Sequence, residues 1–218
     1  MKIFLDTARP EECDLYLSMG IIDGITTNPS LIAQSGLSLE SVIKGFCERI
    51  DGPISVEVIE TQTEGMIAQA QEFIKYGDNI VIKLPLTHAG LEACHALSND
   101  GIMTNVTLCF SPTQALLAAK AGATFISPFI GRLEDHGQNG LDLIQDIHEI
   151  YTLNDMETLI LAASIRNAQH VVEAAKRGAD IVTINTKVLE EMIFHPLTQQ
   201  GLDRFLSDWK NYQHKKGI

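Results

Sequence analysis

Ile80-Val81-Ile82-Lys83-Leu84-Pro85 is an apolar run of strand length broken by one lysine. Such a near-continuous hydrophobic segment suits a parallel strand covered on both faces. Runs of the same kind recur at Ile3–Thr7, Gly24–Asn28, Ile54–Ile59, Met103–Phe110, Phe125–Ile130, Leu159–Ser164 and Ile181–Asn185, many rich in Ile, Val and Thr. Helical periodicity fills the gaps. Glu64–Ile74 puts Met66, Ala70, Phe73 and Ile74 on one side, and Gln114–Ala121 and Asn167–Arg177 stop at Gly122 and Gly178. Leu141–Tyr151, Thr186–Phe194, Pro10–Met19, Ser38–Ile50 and Gly90–Asn99 are the other candidates. Eight strands alternating with helices imply an α/β fold, a (β/α)8 TIM barrel. A doubly wound open sheet uses the same alternation. The count of eight favours the barrel, and no GxGxxG or GxxxxGK[ST] follows a strand. Beyond His195-Pro196, Thr198–His214 reads as an additional C-terminal helix. No linker or composition shift divides the chain, so residues 1–218 are expected to form one domain.

Composition narrows the functional classes. The 218 residues carry 16 Lys+Arg against 28 Asp+Glu, a net charge of −12. So acidic a chain is a poor nonspecific nucleic-acid binder. Hydrophobic residues at 45% and charged residues at 20% describe a chain that folds. No apolar run is long enough for a transmembrane helix. Asp6 interrupts the N-terminal run too early for a signal peptide. The four cysteines are dispersed, with no CxxC, which reads as reduced thiols in the cytoplasm. The seven histidines show neither HxxxH nor HExxH, so no metal is expected.

Barrel enzymes place their chemistry at the C-terminal ends of the strands. The polar residues ending the runs are Asp6, Asn28, Glu57, Lys83, Asn105 with Thr107, Ser127, Ser164 and Asn185. Alternation puts Asn105 and Thr107 on one face, and likewise Ser127 with Phe129 and Ala162 with Ser164. Lys83 is the one lysine of ten inside an apolar strand. Burial disfavours an ammonium, the direction a Schiff-base nucleophile needs. The plain alternative is a strand-end lysine snorkelling to water. Asp6 and Glu57 supply two carboxylates, for proton transfer and for orienting water, or else for a structural ion pair with Lys83. Arg132 and Arg166 leave the sixth and seventh strands, where late barrel loops bind phosphate, unless they are ordinary surface arginines. Cys109, in an apolar strand, reads as a small core residue.

Gly24-Ile25-Thr26-Thr27-Asn28-Pro29-Ser30-Leu31-Ile32 resembles the TTNPS segment of the transaldolase family. Ile80–Thr87 followed by Gly90-Leu91 resembles the segment that holds that family's Schiff-base lysine. Asn105-Val106-Thr107-Leu108, Ile126–Arg132 and Ala163-Ser164-Ile165-Arg166-Asn167 match three more segments. The likeness runs from Met1 to the C-terminal helix and is closest to the small microbial subfamily, which also holds fructose-6-phosphate aldolases. It implies a class I mechanism without cofactor or metal. Lys83 would attack the carbonyl of fructose 6-phosphate or sedoheptulose 7-phosphate, and Asp6 would transfer the proton that drives C–C cleavage. Glu57 and Thr107 would hold the catalytic water. Asn28 and Asn105 would contact the dihydroxyacetone carbanion and Ser127 the sugar, while Arg132, Ser164 and Arg166 would hold phosphate. Glyceraldehyde 3-phosphate or erythrose 4-phosphate would accept the three-carbon unit, in the nonoxidative pentose phosphate pathway.

Three positions separate the subgroups. Aldolase-type members have Gln, an apolar residue and Tyr where this chain has Glu57, Asn105 and Phe129, so the resemblance favours a transaldolase over a fructose-6-phosphate aldolase-like lyase. A barrel that only senses sugar phosphate would need no nucleophile. Ile165 and Asn185 depart from the family's usual Phe and Pro, and Asn185 is expected to add a polar contact at the mouth. Leu202, Phe205, Leu206, Trp209 and Tyr212 form an apolar stripe on the last helix, which packs either on its own barrel or on a neighbour. The resemblance implies the second, in a homodecamer of two pentamers.

Overall fold

The computed structural model describes residues 1–217; Ile218, the last residue of the expected domain, lies outside the described residues. Among the described residues, eight parallel strands close in sequence order: β1 (Lys2–Asp6), β2 (Gly24–Thr26), β3 (Ile54–Glu57), β4 (Ile80–Pro85), β5 (Thr104–Cys109), β6 (Phe125–Pro128), β7 (Leu159–Ala162) and β8 (Ile181–Ile184). β8 pairs with β1, so the sheet has no edge. The helices are α1 (Asp14–Ser18), α2 (Pro29–Ser35), α3 (Leu39–Cys47), α4 (Thr63–Phe73), α5 (His88–Asn99), α6 (Pro112–Lys120), α7 (Ile130–Glu134), α8 (Gly140–Leu153), α9 (Ala168–Lys176), α10 (Thr186–Ile193) and α11 (Pro196–Lys216). The barrel and its extra C-terminal helix are as the sequence pattern implies. Among the described residues, no helix is long and apolar enough to cross a membrane.

Burial on both strand faces explains why the strand runs read as unbroken apolar segments. Outward residues such as Leu5, Ile25, Ile82, Val106 and Ile126 are fully buried against the helices. Inward, Phe4, Val81, Phe125, Leu161 and Ile181 form a second, smaller cluster. It fills the lower barrel as an apolar plug, and two residues further along four of the five strands the inward position is polar (Asp6, Lys83, Ser127 and Thr183), Ala163 being the exception on β7. The plug therefore makes the floor of whatever lies at the mouth.

All strands except β4 end earlier at the mouth than their apolar runs suggest. Asn28 and Asn185 lie past β2 and β8 as helix caps: their side chains accept from the backbone N–H groups of Leu31 and Val188 at 3.0 Å each. Capping satisfies an amide that the first helical turn leaves orphaned. Thr87, Ser111 and Asn167 do the same for α5, α6 and α9. Pro10–Met19 resolves into a 3-10 turn, Pro10–Cys13, followed by the short α1. Two short helices were not anticipated. α2 has Asn28 as cap, Pro29 at its start and Gly36 at φ 73° as its stop. α7 follows β6 almost without a loop.

Candidate active site

Strand register brings the polar residues together. Glu57 on β3 stands opposite Lys83 on β4, and Lys83 stands opposite Asn105 on β5. On the other side of the mouth Asp6 on β1 stands opposite Thr26 on β2. Neighbouring strands are about 5 Å apart, so these pairings make side-chain contact nearly unavoidable.

Lys83 is 5% exposed, so it does not snorkel to water. Its Nζ lies 3.0 Å from Glu57 Oε2 and donates to the Thr27 carbonyl at 3.1 Å. The ion pair considered from sequence therefore exists, but with Glu57 alone. Asp6 accepts from Thr26 Oγ1 at 2.8 Å. Burial pushes the Asp6 carboxyl above its usual range, the Lys83 ammonium and the Thr26 hydroxyl pull it down, and the Glu57 carboxylate adds to the rise. One carboxylate is thus paired with the lysine, and the other is held where a proton is more readily kept.

Asn105 is fully buried and locked. Its amide oxygen accepts from Ser127 Oγ at 2.7 Å and its amide nitrogen donates to Ser55 Oγ at 3.2 Å. Thr107 is also fully buried, yet its Oγ1 has no partner. An orphaned buried hydroxyl is costly, and a bound water is the ordinary remedy. Directly after it, Leu108 sits at φ 60° where the β5–β6 register shifts. Cys109 is buried and its thiol is pushed up to about 12 by that burial, as befits a core residue.

The rim carries the arginines. Arg132 projects from α7, its guanidinium carbon 5.1 Å from the centre of the Phe129 ring, which itself meets Phe110 edge-on at 5.8 Å. Arg166 pairs with Asp135 at 2.5 Å. β7 ends at Ala162, so the alternation that grouped Ala162 with Ser164 fails: Ala162 packs outward, and Ser164 reaches the mouth because its backbone turns left-handed at φ 59°. Gly131 lies under this turn and donates its N–H to the Ser164 carbonyl at 3.0 Å.

Asp6, Lys83, Ser127, Arg132, Ser164 and Arg166 line one cavity of about 210 Å³ at the mouth, with Asn28 and Phe129 on its wall. Other hollows are larger: about 530 and 410 Å³ around the loops that enter β6 and β7 at the opposite end, about 340 Å³ beside Thr7, Glu12 and Asn185, and about 230 Å³ beside Ile80 and Met103. Volume does not choose between these places; the buried lysine–carboxylate pair does. Sequence reasoning missed Thr26, Ser55 and Thr183. Each lies two residues before a mouth residue already identified (Asn28, Glu57 and Asn185), so counting back along the inward face would have found them. Asn185 lines the mouth cavity as well, with its amide oxygen engaged in capping α10. Among the described residues no cluster of His, Cys, Asp and Glu is fit to hold a metal ion.

The sequence profile described as Transaldolase/Fructose-6-phosphate aldolase matches residues 3–216. The chain belongs to that family. Relatives in it include a probable transaldolase of Caulobacter vibrioides, 56% identical over 209 residues, 96% of each chain. One from Caldicellulosiruptor saccharolyticus is 54% identical over 99% of this chain and 100% of its own. A probable transaldolase of Clostridioides difficile is 53% identical over 96% and 97%. Inosine 5′ monophosphate dehydrogenase from Legionella pneumophila superposes with a TM-score of 0.62 at 16% identity, covering 86% of this chain and 58% of the other. At that identity the match speaks for the barrel alone.

Proposed function

We propose that this family member is a transaldolase that moves a dihydroxyacetone unit from a ketose phosphate to an aldose phosphate through a Schiff base on Lys83. The observation that carries the reading is the buried Lys83–Glu57 pair at the mouth of the barrel. Glu57 takes a proton from the ammonium, directly or through a water held with Thr107, and frees the amine to attack the ketose carbonyl. Loss of water from the carbinolamine gives the iminium. Asp6 accepts the proton of the C4 hydroxyl as the C3–C4 bond breaks, releasing the aldose and leaving a carbanion conjugated with the imine. Asn28 and Asn105 hold this three-carbon intermediate, with Ser127 fixing Asn105. The same steps reversed, with a second aldose, complete the transfer, and water then releases the product. Arg132, Ser164 and Arg166 bind the phosphate of donor and acceptor alike. Phe129 has no hydroxyl to help protonate the carbanion, which favours transfer over the release expected of a lyase.

The substrates are fructose 6-phosphate or sedoheptulose 7-phosphate with glyceraldehyde 3-phosphate or erythrose 4-phosphate, those of the nonoxidative pentose phosphate pathway, and the setting is the cytoplasm. Assembly is the role of α11. None of its residues is buried, and Phe205 and Trp209 are 71% and 58% exposed. The stripe therefore does not pack on its own barrel, and a second copy in a pentamer or decamer is its partner.

Borohydride with fructose 6-phosphate should add a three-carbon mass to Lys83, and Lys83→Ala should lose both adduct and turnover. An adduct on another lysine refutes the mechanism. Sedoheptulose 7-phosphate formed from fructose 6-phosphate and erythrose 4-phosphate identifies transfer, whereas free dihydroxyacetone without acceptor identifies the lyase. Light scattering that finds a monomer at micromolar concentration refutes the assembly.

A further inference from the structure

Two buried threonines stand behind Asp6: Thr26, which donates to it, and Thr183, which has had no part in the chemistry described so far. Thr26 on β2 is 2% exposed and Thr183 on β8 is 6% exposed. Their hydroxyl oxygens are 2.6 Å apart, and Thr26 Oγ1 is 2.8 Å from Asp6 Oδ1. We propose that Thr183 is a positioning residue for Asp6, acting through Thr26 as the terminal donor of a three-member hydrogen-bond chain. The proposal rests on the reading of Asp6 as the proton-transfer group.

The direction of the chain follows from counting protons. A threonine hydroxyl has one hydrogen. When Asp6 is ionised it can only accept, so the Thr26 hydrogen points at Asp6. The short contact between the hydroxyls must then be donated by Thr183. Thr26, relieved of part of its proton density by the carboxylate, becomes the better acceptor, and the two bonds strengthen each other in a dry site. When Asp6 has taken the substrate's proton, Thr26 keeps donating to Oδ1 if the proton sits on the other carboxyl oxygen; if it sits on Oδ1, the order reverses by rotation of the hydroxyls. Asp6 then donates to Thr26, Thr26 donates to Thr183, and the Thr183 hydrogen turns into the cavity that Thr183 lines. No proton leaves any oxygen of the threonines. The carboxyl group is held at the same place in both states, as a group that gives and takes one proton per half-reaction requires.

Packing does not explain these hydroxyls. Two residues before Thr183 on the same strand, Ile181 belongs to the apolar plug, so the barrel closes there without polar atoms. A valine at 183 would fill nearly the same volume. The charged groups that face Asp6 are Lys83 and Glu57; neither can substitute for a neutral donor behind it.

The test is Thr183→Val beside Thr183→Ser and Asp6→Asn, each as the full chain. Hydrogen bonding to a carboxylate favours its ionised form. Losing the terminal donor should therefore move the acid limb of the kcat profile to higher pH. It should lower kcat roughly three- to tenfold, the worth of about one buried hydrogen bond. KM for fructose 6-phosphate and borohydride trapping on Lys83 should stay near wild type. Thr183→Ser should restore both kcat and the limb. The relay is refuted if Val retains wild-type kcat and limb, or if Ser and Val behave alike. Should Val fail to fold, the limb of Thr183→Ala decides in the same way. If Asp6→Asn itself turns over normally, the reading of Asp6 falls; if it is dead while Val is wild type, the relay alone falls.

Discussion

Gly131→Ala is the sharpest test of the phosphate end of the site. A Cβ at this position would lie 2.3 Å from the Ser164 carbonyl oxygen, 2.5 Å from Arg166 Nε and 2.8 Å from Arg166 Cγ. Ordinary contact needs about 3.5 Å, so the carbonyl must retreat by about 1 Å or α7 must lift by as much. The carbonyl is not free to yield. It accepts the Gly131 N–H at 3.0 Å, and Ser164 is already held at φ 59°. Overpacking of this kind costs about 1–3 kcal/mol of stability. The larger effect is on geometry, because both neighbours disturbed are proposed phosphate ligands, and misplacement by about 1 Å is worth up to about a hundredfold. Half-maximal borohydride trapping on Lys83 should require roughly ten- to a hundredfold more fructose 6-phosphate in the variant. Free fructose should trap at nearly the wild-type concentration. A folded Gly131→Ala protein that keeps its wild-type demand for fructose 6-phosphate would refute the phosphate assignment. So would equal weakening toward both sugars.

Arg132→Ala and Arg166→Ala should each weaken trapping by fructose 6-phosphate by about ten- to a hundredfold, the value of a charged hydrogen bond of about 1.5–3 kcal/mol. Equal losses on free fructose would make these arginines structural. Asp6→Asn should abolish turnover and yet raise the melting temperature at neutral pH. The carboxyl is raised in the fold, so its stabilising contribution is complete below the ordinary value of 3.8 and is lost as pH rises through the folded value. Asparagine does not titrate, so the gap over wild type should close on acidification, and a gap that widens contradicts the burial cause. Phe129→Tyr should raise release of free dihydroxyacetone without acceptor, because a hydroxyl then stands beside the carbanion; unchanged release would discount that position.

Much of this molecule was legible because parallel strands buried on both faces advertise themselves. Ile80–Pro85 reads as a strand and is one, with the same limits. Lys83, Glu57 and Asp6 stood out as charges at the ends of apolar runs. What sequence could not supply was register: that Lys83 faces Glu57 and Asn105, while Asp6 faces Thr26, is set by how the closed sheet staggers. Thr26 and Thr183 escaped notice because a threonine in a strand looks like β-propensity rather than chemistry, and Ser55 because it lies inside the Ile54–Ile59 run rather than at its end. Ser164 was placed by an alternation that a left-handed residue breaks. Asn28 and Asn185 were read as mouth residues only, although an Asn directly before a helix is equally a cap.

The bare face of α11 makes concentration a stability variable. A helix with no buried residue gains little from its own barrel, and most helical stability in proteins comes from packing an apolar face rather than from propensity. If a second copy covers it, as proposed, folding of the C-terminal segment and subunit association obey one mass-action law. At a hundredfold excess over the dissociation constant that coupling is worth about 2.7 kcal/mol, and it vanishes on dilution. The protein in a nanomolar kinetic assay and the protein in a concentrated stock would then have different melting temperatures, helix contents and susceptibilities to protease beyond His195. The helix would behave as a gauge of crowding by its own kind.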